Sequence, residues 1–389
     1  MLNNLYKIIF ILSILPFSSS TCKGKSLSPG KDNQDNNKKL IETDSYPQDW
    51  KERRVCKDAD KIPIFDSHIN MDPEALWKAL KIGKEWRVER FINVMGGYPG
   101  NGLEDSVAVM QESGGKILFM CNIDWKSYGK PYFIEKVLSD MEKCKKAGAV
   151  GIKIFKSLGL GITNPDGTLL KVDDPGLDKI FEKAGELKLP VLIHSGDPKA
   201  FFKPLTKDNE RYDELMAHPM WRFDPSEYPP WEEIYKQFLS RVARHPKTIF
   251  IGSHFGNNPE DPPKVFESLQ NYPNLFINTS ARIPEIGRFD AKKMHDYFIK
   301  YSDRIIYGSD LGIGIETLIL GSSPPLYPTR KDIELFFNAS YRYFETWDKQ
   351  FDHPTPIQGK WKIDGIGLPC DVLRKIYKEN SEKLFLPSN

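Results

Sequence analysis

Short apolar runs, each followed by a polar turn and an amphipathic helical pattern, recur along most of the chain. The apolar runs cover residues 62–65, 91–95, 117–121, 150–155, 191–193, 248–251, 275–277 and 305–307. Continuous apolar runs of this length are typical of parallel strands that are buried on both faces. Amphipathic stretches lie between them, for example Tyr132–Gly148, Leu177–Leu187 and Pro259–Gln270. The pattern therefore predicts eight strands that alternate with helices.

This alternation favours an α/β fold, a single (β/α)8 barrel of the TIM type. A doubly wound open sheet is the alternative, but no glycine-rich phosphate loop follows the first run. Two connections, 196–235 after strand five and 311–367 after strand eight, are much longer than the others. Loops that follow barrel strands lie on the active-site face, and loops of this length usually carry function. The aromatic residues of 196–235 are expected either to cover the pocket or to form a small core of their own.

The first 45 residues differ in composition from the rest. Lys7 precedes an apolar run that is too short to span a membrane, and small residues follow, as is typical of a signal peptide over residues 1–21. The small residues before Cys22 are similar to a bacterial lipoprotein signal, which predicts lipidation of Cys22 and a cell-envelope or periplasmic location. Ser19 stands where that signal usually has leucine, so free secretion is the alternative. The polar composition of residues 22–45 predicts a flexible tether, which leaves residues 46–389 for the barrel.

Composition excludes several classes of function. Lysine and arginine number 55 against 53 acidic residues, and the resulting net charge of +2 without a basic stripe gives no support for nucleic-acid binding. Five cysteines without a CxxC pair indicate neither a disulfide scaffold nor a zinc ribbon. We therefore look for function in individual residues at the strand ends.

Polar residues follow most of the predicted strands. His68, His194 and His254 come after strands one, five and six, and Asp310 follows strand eight. In a barrel these ends converge on one pocket, and imidazole nitrogens with a carboxylate suit zinc or a similar divalent ion. Each histidine taken alone would be better interpreted as a hydrogen-bonded core residue. Their equivalent positions together favour a metal centre.

These residues resemble the amidohydrolase superfamily, in the amidohydrolase-related (amidohydrolase 2-like) branch of metal-dependent hydrolases and decarboxylases. The family pattern is D-x-H-x-H on strand one, a lysine on strand four, histidines on strands five and six, and an aspartate on strand eight. The resemblance extends over roughly residues 62–386. The matching residues in this chain are Asp66-Ser67-His68-Ile69-Asn70, Lys153, His194, His254, Asp310 and the ending Gly367-Leu368-Pro369.

Asn70 departs from the family pattern because it stands in place of the second histidine of strand one. An amide oxygen is a weaker zinc ligand than an imidazole. The substitution could weaken metal binding, favour a harder ion, abolish catalysis or place Asn70 against the substrate. A non-catalytic surface binding protein with a degenerate metal site is therefore an alternative function.

The resemblance implies one divalent metal, zinc with manganese or iron as alternatives, held by His68, His194 and Asp310. It also implies hydrolysis of an ester, lactone or amide carbonyl through a metal-activated water, with Asp310 moving the proton and His254 serving as a second ligand or polarising the substrate. The same site could support decarboxylation instead. Lys153 would bridge two metals if carboxylated, but a pairing with a carboxylate or an anionic substrate is preferred.

Further residues at the strand ends are candidates for substrate contact. Arg282, after strand seven, could clamp a carboxylate or phosphate, with a surface or capping role as the alternative. Asn122, Asp197 and Asn257 follow strands three, five and six. The expected partners are a small and anionic substrate, a membrane reached only through the Cys22 lipid anchor, and a second copy of the chain in a homodimer.

Overall fold

The computed structural model describes residues 46–321, 323 and 325–386. The predicted signal peptide, Cys22 and the predicted tether lie outside the described residues. Eight positions of parallel strand are arranged in chain order around a barrel. The strands are β1 Ile64–Met71, β2 Val88–Asn93, β3 Ile117–Cys121, β4 Gly151–Ile154, β5 Val191–Ile193, β6 Phe250–Gly252, β7 Leu275–Asn278, β8 Ile305–Ile306, β9 Leu311–Ile313, β10 Leu318–Ile319, β11 Phe351–Asp352 and β12 Lys362–Ile363.

The barrel closes through the segment that contains β8 and β9. β7 pairs with β8 and β1 pairs with β9, both in parallel. Between these short strands, Ser67 N donates to Tyr307 O at 3.0 Å and Asp310 N donates to His68 O at 2.8 Å. Residues 305–313 therefore act as one interrupted eighth strand, and the predicted (β/α)8 barrel is confirmed.

Helices surround the barrel and fill the long connections. Amphipathic sequence accounts for the outer helices, as in α3, where Phe133, Val137, Met141 and Cys144 recur at helical spacing and are buried. The helices are α1 Leu76–Glu85, α2 Leu103–Glu112, α3 Phe133–Lys146, α4 Ser157–Leu160, α5 Asp178–Glu186, α6 Tyr212–Ala217, α7 Trp231–Arg244, α8 Ser253–Gly256, α9 Pro262–Asn271, α10 Ile283–Ile286, α11 Ala291–Lys300, α12 Arg330–Glu345, α13 Cys370–Arg374 and α14 Asn380–Phe385, with a π-helix at Lys375–Glu379. No described helix is long and apolar enough to cross a bilayer.

A small apolar cluster occupies the barrel interior, separate from the larger core between strands and helices. It contains strand residues such as Phe65, Ile92 and Leu192, and it also includes Leu384 and Phe385 of α14. Burial of each such side chain contributes about 1.5–3 kcal/mol. Helix α14 thus packs against the apolar residues of the barrel interior.

Two parts of the chain differ in detail from the sequence-based expectation. β1 extends through the motif to Met71, because Ile69 pairs with Asn93 on one side and with Leu311 on the other. The connection over 311–367 is as long as predicted, but it is not all loop, because it contains the sixteen-residue helix α12. Thr329 caps this helix in a reciprocal capping box with Asp332.

Two disulfide bonds join distant parts of the chain. Cys56 pairs with Cys370 across 314 residues, and Cys121 pairs with Cys144 across 23 residues. The cysteine count did not predict these bonds. They supplement a hydrophobic core that is already large, so the fold is still not a disulfide scaffold.

Candidate active site at the carboxyl ends of the strands

His68, Asn70 and Asp310 form the centre of a buried polar group. Nε2 of His68 lies 3.3 Å from Oδ1 of Asp310, and Nδ2 of Asn70 donates to the same oxygen at 2.9 Å. All three side chains are nearly inaccessible to solvent. The structure therefore brings together two predicted metal ligands and the residue that departs from the family pattern.

Residues at the carboxyl end of β7 hold His68 in place. Its Nδ1 lies 3.0 Å from Oγ of Ser280 and 3.2 Å from Nδ2 of Asn278. Ser280 in turn donates to Oδ1 of Asn278 at 2.6 Å. These contacts fix the ring so that the opposite nitrogen, Nε2, faces Asp310. Fixing a ligand histidine through its second nitrogen is the usual arrangement in metal sites.

His254 is held in an uncommon backbone conformation. Its φ is +53° and that of Phe255 is +58°, in the left-handed region that non-glycine residues rarely adopt. Nδ1 of His254 lies 3.0 Å from the backbone oxygen of Ser280. Because a carbonyl can only accept, Nδ1 carries the proton and the lone pair of the neutral ring is on Nε2. His254 is thus prepared to accept a proton or bind a cation.

His194 lies beside His254 but faces a carboxylate. The two ring centroids are 4.2 Å apart in a T-shaped arrangement, while His68 and His254 are 5.4 Å apart. Nε2 of His194 lies 3.3 Å from Oδ1 of Asp197, and the other oxygen of Asp197 pairs with Lys156. The three predicted histidines therefore do converge, with His254 between the other two.

Lys153 points from β4 into the same group. Its Nζ lies 3.4 Å from Nε2 of His68 and donates to Oγ of Ser253 at 3.2 Å. Burial lowers the pKa of Lys153 to about 7, although the nearby Asp310 charge opposes the shift. A neutral amine is therefore accessible near neutral pH, which reduces the repulsion between this residue and a bound cation.

Burial also keeps the histidines neutral. It lowers the pKa of His68 and of His254 well below the ordinary value, with neighbouring positive charges adding to the effect. Burial lowers the pKa of His194 to about 4 despite the opposing Asp197 carboxylate. Neutral imidazoles are the form that binds metal ions.

The donor set fits a divalent ion in part. Two ligands of one tetrahedral ion lie about 3.4 Å apart for metal–ligand distances near 2.1 Å, and the separation of His68 Nε2 and Asp310 Oδ1 is 3.3 Å. Within the described part of the chain, no three His, Cys, Asp or Glu side chains are arranged as a complete ligand group. His194 faces Asp197 instead, so its role as third ligand stays a prediction.

The other predicted residues lie around this centre. The amide groups of Asn122 and Asn257 bind backbone atoms, where they join the ends of β2 to β3 and of β5 to β6. Arg282 is buried, donates to Ala281 O at 2.8 Å and lines a small cavity with Ser309. Its Nε lies 3.9 Å from a carboxylate oxygen of Glu285.

Sequence reasoning missed the residues that support the centre. Ser280 and Asn278 hold His68, and Ser253 binds Lys153. Asp66, which belongs to the quoted family pattern, accepts hydrogen bonds from the backbone of His68 and Ser309, a role that the pattern did not predict. The sequence does contain a sign of these residues, because the polar run Asn278-Thr279-Ser280 directly follows an apolar run. The histidines were identified from the same kind of position.

The protein is a (β/α)8 barrel with histidines and an aspartate buried at the carboxyl ends of its strands. The sequence pattern of the amidohydrolase family, Amidohydro_2, matches residues 131–386. The chain therefore belongs to the amidohydrolase family. No curated protein matches its sequence.

Comparison with solved structures finds matches at low sequence identity. A 2,6-dihydroxybenzoate decarboxylase complexed with 2,6-dihydroxybenzoate is 16% identical, with a TM-score of 0.50 over 83% of this chain and 98% of its own. An uncharacterized TIM-barrel protein from Bordetella bronchiseptica is 13% identical, with a TM-score of 0.49 over 84% and 99%. A dihydroxybenzoic acid decarboxylase from Polaromonas sp. JS666, with bound manganese and 2-nitroresorcinol, is 13% identical, with a TM-score of 0.49 over 83% and 97%. At 16% identity, the similarity to the 2,6-dihydroxybenzoate decarboxylase shows a common fold alone.

Proposed function

We propose that the protein is a metal-dependent hydrolase that acts on a carbonyl group of a small, anionic molecule. The observation that carries the proposal is the 3.3 Å separation of His68 Nε2 and Asp310 Oδ1, with the neutral ring of His254 beside them. His68 and Asp310 would hold a divalent ion, zinc in the first instance, with His194 as the third ligand. When bound, such an ion would polarise the carbonyl and lower the pKa of a water toward about 7.

The residues of this chain then have separate tasks. Nε2 of His254 has the free lone pair and accepts the proton of the attacking water, because its Nδ1 proton is given to Ser280 O. Asn70 keeps the carboxylate of Asp310 in one orientation through its amide. Arg282 supplies a buried positive charge for an anionic group of the substrate.

Decarboxylation at the same site is the second candidate. Lys153 favours it, since an amine 3.4 Å from His68 could bind a substrate carboxylate beside the ion. A related fold also occurs in the 2,6-dihydroxybenzoate decarboxylase. Assays for ester, lactone and amide hydrolysis, run beside assays for carbon dioxide release from aromatic and aliphatic carboxylates, distinguish the two reactions.

The metal content of the purified protein tests the proposal. We expect about one divalent ion per chain, lost in His68→Ala and in Asp310→Asn but kept in His295→Gln, which changes a histidine on α11. A protein that binds no zinc, manganese or iron after growth in metal-replete medium would contradict the metal-dependent function. That result would favour the alternative of a non-catalytic binding protein.

We also propose that the protein is exported and anchored through Cys22. The two disulfide bonds support an oxidising compartment, because cytosolic proteins rarely keep such bonds. Fractionation of cells that express the full chain or Cys22→Ala tests the proposal. The anchor predicts membrane association that the variant loses, whereas release of both proteins in soluble form would favour plain secretion.

A further inference from the structure

The three most exposed large apolar side chains of the described chain lie on one part of its surface. Tyr327, Trp77 and Ile315 are 67%, 66% and 65% exposed, and Leu326 beside Tyr327 is 48% exposed. We call these four residues the apolar rim. Exposed apolar side chains are ordinary when they are scattered, whereas a group of them marks a surface that contacts a partner or a membrane.

Hydrogen bonds hold the segments of the apolar rim next to each other. Trp77 directly precedes Lys78 on α1, and Nζ of Lys78 donates to backbone oxygens of the turn that joins β9 to β10, including that of Ile315 at 3.4 Å. Leu318 N, in β10, donates to Leu326 O at 2.8 Å. The helix, the turn and the segment before α12 therefore form one continuous part of the surface.

The charged neighbours of the apolar rim favour a lipid surface as its partner. Trp77 shares a helix face with the exposed Lys81 and Lys84, four and seven positions further on. Protein–protein interfaces are depleted in lysine, whereas tryptophan and tyrosine rings with lysines beside them are typical of membrane surfaces. The exposed acids Glu74 and Glu316 lie in the same segments, so charge is nearly balanced here and the apolar side chains are the main attraction.

The described chain begins on the same side of the barrel. Tyr46 N donates to Oε2 of Glu334 on α12 at 3.1 Å, and the first residue of that helix, Arg330, pairs with Glu85 at the end of α1. The predicted tether of residues 22–45 leads into this place, and a flexible chain of that length has its ends about 25–30 Å apart. The proposed lipid anchor would thus keep the apolar rim close to a membrane.

We propose that the apolar rim docks on the surface of a lipid bilayer and fixes the orientation of the anchored protein there. This inference goes beyond the proposed hydrolase activity and draws on the proposed export of the chain. Trp77 on α1 follows β1, and Ile315 follows β9, which is parallel to β1. Docking therefore brings the carboxyl ends of the strands, where the candidate active site lies, near the lipid surface.

The Cys22→Ala chain tests the apolar rim without the lipid anchor. It should sediment with vesicles of phosphatidylglycerol and excess phosphatidylethanolamine, also at high salt. In this background, Trp77→Ser combined with Tyr327→Ser should weaken partition at least about tenfold, because burial of one large apolar side chain corresponds to about a factor of ten. Met216→Ser combined with Met220→Ser removes an exposed apolar pair from the connection after β5 and should leave partition unchanged.

Quenching by lipids with brominated acyl chains locates the contact. These lipids should quench part of the tryptophan fluorescence of the Cys22→Ala chain. Trp77→Phe should remove that part and keep most of the vesicle binding, because phenylalanine is still apolar. Docking without the anchor is reversible, so Cys22→Ala is still expected in the soluble fraction of dilute cell extracts.

The outcomes separate the docking surface from the anchor. Absence of vesicle binding in Cys22→Ala, or binding that the Trp77 and Tyr327 changes do not weaken, overturns the docking surface and leaves the anchor intact. Vesicle binding that these changes abolish supports the docking surface, even if the unchanged chain is released from cells and the anchor fails. A dimer that the same changes dissociate, without vesicle binding, would show that a second copy covers the apolar rim and overturns the proposal.

Discussion

The side-chain amide of Asn70 donates to the carboxylate of Asp310, with 2.9 Å between Nδ2 and Oδ1. Asn70 pairs with Gly312 in the register of β1 and β9, two residues beyond Asp310. The residue that replaces the family's second histidine therefore faces the site. It contacts the carboxylate that is expected to bind the ion, so the substitution changes the surroundings of Asp310 directly.

Asn70→His should tighten metal binding. An imidazole at this position would add a nitrogen ligand next to Asp310, and imidazole is the stronger donor for zinc. We expect the zinc dissociation constant to fall at least about tenfold, the size of effect that neighbours of a metal site commonly have. Competition with a fluorescent chelator measures this change. Equal affinities in a folded variant would show that position 70 lies too far from the ion.

His254→Gln should lower kcat while the metal stays bound. Loss of a general base typically costs a factor of about 10²–10⁴. Because burial holds the pKa of His254 below 6.5, the wild-type activity should persist below pH 6.5 and decline only in more acidic solution. His295→Gln is the matched control, since its Nδ1 also lies near a backbone oxygen, that of Ile366. A drop in metal content together with kcat would instead make His254 a ligand.

Lys153→Met should stabilise the metal-free protein in a pH-dependent way. Burial lowers the pKa of Lys153 from 10.5 to about 7, so between these values the unfolded chain binds a proton that the folded chain lacks. Wild-type stability should therefore rise with pH through this window, and the advantage of the variant should be largest below pH 7, at roughly 2–5 kcal/mol. Urea unfolding with EDTA at pH 6 and pH 9 measures it. Lys236→Met, at an exposed lysine of α7, is the control variant.

The barrel could be predicted because its strands are buried on both faces. The predicted runs 117–121 and 191–193 coincide with β3 and β5, since apolar residues end where each strand ends. His68, His194, His254 and Asp310 were likewise predicted, because parallel strands bring their carboxyl ends together. The signal was that a polar residue follows an apolar run at the end of strand after strand.

Features that depend on side-chain orientation and distant pairing were not predictable. Nε2 of His194 lies 3.3 Å from a carboxylate oxygen of Asp197, and spacing along the sequence carries no information on the orientation of the ring. The pairing of Cys56 with Cys370 requires two residues that are 314 positions apart in the sequence to lie side by side. α12 was missed because its aromatic and polar residues follow an irregular stretch that resembles a loop.

Arg282→Gln should impair the use of anionic substrates. A hydrogen bond to a charged group contributes about 1.5–3 kcal/mol, which corresponds to about 10–100-fold in kcat/KM. The loss should occur in KM for carboxylated substrates and be small for neutral analogues. Arg288→Gln, at a residue that pairs with Glu210 at the surface, serves as the control. An equal loss of kcat/KM for both substrate types would show that Arg282 supports the cavity wall and does not bind the anionic group.

Removal of the Cys56–Cys370 disulfide should destabilise the protein more than removal of Cys121–Cys144. The first bond closes 314 residues and the second 23, and chain entropy alone makes the longer closure about 2 kcal/mol more stabilising. We expect losses of roughly 2–5 kcal/mol for each pair when both cysteines are changed to serine. Urea unfolding of the two double variants, with and without reductant, measures the difference. Reductant should remove the difference in stability between the wild type and the variants. If the variants are as stable as the wild type under oxidising conditions, the bonds do not form. The order of the two losses is the sharper test, because it depends on the difference in length between the two closed segments.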